Sequence, residues 1–122
     1  MQGQSHKDNW NAYATAWAEA DSTKRMQILE RYLAGDVTYT DSLTDLAGYA
    51  QFSECMAGFQ KDMPGVRFVT TGFTHHHQRS LAQWNMVDSK GSILGQGESF
   101  VQYGQDGRLT QITGFFESPN GS

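Results

Sequence analysis

The sequence predicts an α+β domain in which a curved antiparallel sheet is covered on one face by three helices. Apolar residues recur at helical spacing only in the first half of the chain, ending at Pro64-Gly65. From Val66 to Glu117 no helical stripe appears, and turn signals at His77 to Arg79, Ser89-Lys90-Gly91 and Gln105-Asp106-Gly107 divide that half into four strands. Helices followed by a strand meander indicate helices gathered on one side of a sheet. Twisted strands curl, and a curled sheet closed by helices makes a conical pocket suited to a small ligand.

Each element has its own signal. Trp10, Tyr13, Ala14, Trp17 and Ala18 mark an amphipathic helix over about 6 to 20, with Ser5 or Asp8 as cap. Ser22 caps a second helix whose buried stripe is Met26, Leu29, Tyr32 and Leu33, and Gly35 supplies its left-handed stop. Val37-Thr38-Tyr39-Thr40-Asp41 alternates as a short strand, which puts Val37, Tyr39 and Asp41 on one face. Ser42 to Gly48 is a loop or irregular edge. Phe52, Cys55, Met56, Phe59 and Met63 carry the third helix to Pro64-Gly65. The chain of 122 residues is one domain, with an ordered core over about 8 to 117 and a mobile tail over 118–122.

Composition narrows the function. The formal charge is −4, and nine basic residues that do not cluster exclude a phosphate-backbone footprint, so nucleic acid is not an expected partner. No apolar run approaches the roughly 18 residues of a membrane span, and a single Cys55 allows no intramolecular disulfide. The expectation is a cytoplasmic protein. Fifteen aromatic residues, 7 Phe, 5 Tyr and 3 Trp, supply a core and leave some for a cavity wall.

The order and spacing of several short motifs resemble a known superfamily over residues 8 to 117. They are the helix WNAYATAWAEA from Trp10 to Ala20 leading to Asp21, Gly35-Asp-Val-Thr-Tyr-Thr-Asp41 and the Met63-Pro-Gly65 stop. Thr71-Gly72, His76-His77, Arg79 and Trp84 follow, then Asp106-Gly-Arg-Leu and Thr113-Gly-Phe-Phe116. Together they resemble the NTF2-like superfamily, and more narrowly its SnoaL-like and ketosteroid-isomerase-like branch. The resemblance implies a conical fold, usually a homodimer, and no cofactor. It leaves the activity open, because the same scaffold hosts isomerases, cyclases, dehydratases and adaptors.

By that resemblance Asp41 stands where isomerase-like members carry a general base, although Ser42 replaces the proline that follows it there. Tyr13 matches the oxyanion-hole tyrosine, and one of His76 and His77 matches a cavity-facing polar contact. Ser99 stands where those members carry a protonated acid, which removes part of the charge stabilisation. A carboxylate at the mouth of an apolar cone suits proton abstraction beside a carbonyl. The expected ligand is a small apolar molecule, with Tyr39, Met56, Phe59, Trp84, Met86, Val101, Tyr103 and Phe116 as candidate wall. Each residue also has a plainer role: Asp41 as a loop cap, Tyr13 as core, the histidines as a solvated hairpin end, and the aromatics as filling that closes the cone. No metal is expected, since His75 and His77 lack a third ligand at linked spacing and His6 is remote in sequence.

Overall fold

The computed structural model describes residues 2–116, with side chains from His6 onward. The tail at 118–122 lies outside the described residues. Helix α1 spans Gln2–Ala14 and tightens into a 3-10 turn over Thr15–Ala18. The helix therefore starts earlier than expected, and Ser5 and Asp8 lie inside it. The tightening has a local cause: Thr15 Oγ1 donates back to the Ala12 carbonyl at 2.6 Å.

Helix α2 (Ser22–Tyr32) is capped by Asp21 and not by Ser22, because the Asp21 carboxylate accepts from the amides of Thr23 and Lys24 at 2.8 and 3.1 Å. Gly35 does not stop it. Leu33 already has extended dihedrals and opens strand β1 (Leu33–Thr40), where pairing with the last strand captures the chain. Strand β2 (Asp45–Ala47) occupies part of the expected loop and edges the sheet. Helix α3 (Gly48–Asp62) ends where expected, with Gly65 at φ +83°.

Strands β3 (Arg67–His76), β4 (Arg79–Val87), β5 (Ile93–Tyr103) and β6 (Leu109–Phe116) form the expected meander, and all three turns fall where the sequence places them. The sheet order is β2-β1-β6-β5-β4-β3, antiparallel throughout except for the parallel pair β1–β6. Register aligns Ala82 with Ser99 and Ser99 with Gly114, and one row further on Ser80 with Val101 and Val101 with Ile112. These residues line the face that the helices cover, and all are buried. The core joins Trp10, Tyr13, Leu29, Phe52 and Met56 from the helices to Leu33, Val37, Val101 and Leu109 from the sheet. No helix among the described residues is long and apolar enough to cross a membrane.

Candidate functional site

Asp41 follows the last residue of β1 and keeps the strand's alternation, so its side chain shares a face with Tyr39 and Val37. Tyr39 Oη donates to Asp41 Oδ2 at 2.5 Å, and the Leu43 amide donates to Oδ1 at 2.8 Å. One oxygen thus caps the loop while the other holds a phenol. Gly114 makes this possible: a Cβ there would stand 3.2 Å from Tyr39 Oη and 3.5 Å from Asp41 Cβ. Behind the pair, Trp17 Nε1 donates to Tyr13 Oη at 3.0 Å.

Burial sets the protonation of this cluster. Tyr13, 2% exposed, has its pKa pushed up by desolvation, against the pull of the Trp17 hydrogen bond, with Cys55 and Asp41 adding to the rise. Tyr39 is raised above the ordinary tyrosine range by desolvation first, then by Tyr13 and by Asp41. The half-buried Cys55 thiol is raised by desolvation and by Asp41, which keeps it a poor nucleophile. Asp41 thus accepts from Tyr39 and the Leu43 amide, with phenols and a thiol around it that hold their protons.

A cleft of about 290 Å³ opens onto Asp41 between the ends of β1 and β6, lined by Thr40, Ser42, Gly114 and Phe116 among others. A second, open cleft of about 640 Å³ adjoins it across Phe115 and Phe116 and reaches Trp84, Gly97 and Glu98. Inside the cone the rings pack on one another. Trp17 meets Tyr39, Phe59 and Phe68, while Phe68 meets Trp84 edge-on at 5.1 Å between centroids.

No family model and no curated protein matches the sequence. Solved structures do. A candidate isomerase of the SnoaL-like family from Agrobacterium tumefaciens superposes with a TM-score of 0.86 at 23% identity, covering 94% of this chain and 99% of that one. The fold is NTF2-like. An NTF2-like protein of unknown function from Mesorhizobium loti aligns at TM-score 0.70 and 14% identity over 97% and 95% of the two chains. A candidate ketosteroid isomerase from Kribbella flavida aligns at 0.69 and 15% over 95% and 80%.

Within this NTF2-like cone the residues singled out from sequence divide into two groups. Asp41, Tyr39 and Phe116 border the smaller cleft or bond to its carboxylate, and Trp84 and Phe116 border the larger one. Met56 and Val101 have no exposure and Tyr103 has 5%, so these three belong to the core and not to a cavity wall. Phe59 stacks on Phe68, and half-buried Met86 places its methyl near Gly95. Ser99 is buried and accepts from Trp84 Nε1 at 3.1 Å. Neither His76 nor His77 faces the interior. Both are exposed at the β3–β4 turn, where His77 and Gln78 adopt positive φ and the two Nδ1 atoms stand 3.1 Å apart. His75 takes the inward register instead, opposite the buried Ser80, because a bulge between Thr70 and Gly72 resets the alternation of β3.

Two side-chain pairings, Tyr39 with Asp41 and His6 with His75, emerge only in the folded chain. Tyr39 reads from sequence as a wall residue, although its position two residues before Asp41 on one strand face is the signal that they touch. His6 carries no local motif, and only the fold brings it to His75.

Proposed function

We propose that the chain binds a small apolar molecule bearing a carbonyl or hydroxyl at the cleft beside Asp41, and that Asp41 accepts a proton from carbon in an isomerisation or cyclisation. The observation that carries this reading is the Tyr39–Asp41 hydrogen bond at the edge of that cleft, backed by Tyr13. The carboxylate is positioned, half-buried and open to a ligand on one side. The Tyr39 O–H, held by Asp41 in the resting site, turns to a developing enolate oxygen once the carboxyl has taken the proton. Tyr39 stands nearer that role than Tyr13, which Trp17 and its own burial seal from the cleft. The likeness to candidate isomerases supports the reading at the level of fold only.

The test uses 2-naphthol, a flat enol analogue. Its addition should move the backbone amide resonances of Ser42, Gly114 and Phe116, and Asp41→Asn should change those shifts. Movement confined to other surfaces contradicts the assignment.

A second reading, a non-catalytic binding or dimeric module, draws on two observations. Asp41 Oδ1 is already engaged in capping the loop. The outer sheet face also leaves Val69, Leu81 and Phe115 at 40%, 41% and 61% exposure, with Phe100 paired to Leu81. That face suits a second copy of the chain, and a monomer in sedimentation at micromolar concentration contradicts it.

A further inference from the structure

We propose that His6 and His75 form a two-imidazole site for a divalent transition-metal ion such as zinc, on the helix-covered face toward the β3–β4 turn. His6 comes from α1 and His75 from β3, 69 positions apart. His6 is 4% exposed, yet its Nδ1 is buried with no hydrogen-bond partner among the described residues. A buried polar atom left unpaired costs free energy, and a bound cation satisfies it. The imidazole stacks on Tyr103 at 4.1 Å and 12° between planes, and Tyr103 Oη is fixed by Ser80 Oγ at 2.7 Å. The stack holds the orientation of the His6 ring.

His75 stands edge-on, with ring centroids 6.3 Å apart. Two imidazoles on one ion, with nitrogens about 2.0 to 2.1 Å from it, have centroids roughly 5 to 6 Å apart. The exposed His75 can close that difference by a small rotation, and it gives the ion an entry path. Among the described residues no group of three or more His, Cys, Asp or Glu stands together. Water completes the coordination, which makes the ion exchangeable and sets zinc or copper above magnesium or calcium.

Titration of the full chain with zinc chloride tests this, read by the imidazole nitrogen resonances and the thermal midpoint. Zinc should shift His6 and His75 together and raise the midpoint. His75→Gln, on the surface, should weaken zinc binding at least tenfold, and His6→Phe should do the same while keeping a ring on Tyr103. His77→Asn, which tolerates the positive φ of the turn, should leave binding unchanged. No response at millimolar zinc overturns the proposal, as does a response confined to His76 and His77.

Discussion

The phenol of Tyr39 and the carboxylate of Asp41, two residues apart on one strand face, meet at 2.5 Å over the missing side chain of Gly114. A hydrogen bond to a charged acceptor contributes about 1.5 to 3 kcal/mol when desolvated. Asp41 is half-buried, which favours the lower end. Tyr39→Phe should therefore lower stability by about 1.5 kcal/mol in urea denaturation. An unchanged midpoint means that water replaces the phenol at no cost.

Gly97 has a comparable task beneath Trp84. A Cβ there would lie 2.4 Å from the far edge of the indole and 2.8 Å from the Phe115 carbonyl oxygen. Gly97→Ala should destabilise by about 1 to 3 kcal/mol through overpacking. Trp84→Phe removes the nearer obstacle but not the carbonyl, so the double variant should recover part of that loss. Strict additivity in the double-mutant cycle would show that the indole is not what Gly97 accommodates.

Alkali should unfold the protein through its buried phenols. Tyr103 is raised to about 12, chiefly by burial, and Tyr13 and Tyr39 are raised as well. For an acid whose folded pKa lies above its unfolded value near 10, the unfolded chain loses its proton first. Stability should hold below pH 10 and fall as pH rises toward 12. Tyrosinate absorbance should appear together with unfolding, and three phenols titrating before any loss of structure would contradict the burial argument.

Acid acts through His6. Its folded pKa lies below the ordinary 6.5, because burial and the nearby His75 disfavour the charged ring. The unfolded chain then takes up the proton more readily, so this contribution is complete above about pH 6.5 and declines as pH falls through that value. Comparing midpoints at neutral and mildly acidic pH for the parent chain and His6→Phe checks the sign. The variant should lose less stability on acidification, and equal losses would assign the effect to other groups.

Much of the fold was legible in the sequence because its signals are local. The helical stripe of Trp10, Tyr13 and Trp17 and the three turn clusters each rest on a few neighbouring residues. Helix ends were less legible. Ser22 and Asp21 are both competent caps, and only the loop geometry chose the carboxylate. Gly35 reads as a helix stop until the parallel pairing of Leu33 with Leu109 claims that segment for the sheet.

The candidate site was legible where strand parity reaches it, as for Asp41, and obscure where side chains decide. Nothing in spacing tells whether Met56 and Val101 line a cavity or fill the core. Which histidine takes the inward register depends on a bulge between Thr70 and Gly72, and the lone strand glycine marks that bulge without fixing its register. His6 needed a contact made across the whole chain.

The claim that Asp41 accepts a proton from carbon is tested most directly by solvent exchange. Incubating the protein in deuterium oxide with 2-tetralone, a flat apolar ketone, and following the α-protons by NMR measures that step without knowledge of the natural ligand. The account predicts exchange above the buffer rate that falls by roughly 10²-fold or more in Asp41→Asn, while amide shifts show the ketone still bound. Exchange that survives the substitution, or a bound ketone whose α-protons exchange no faster than in buffer, would contradict it.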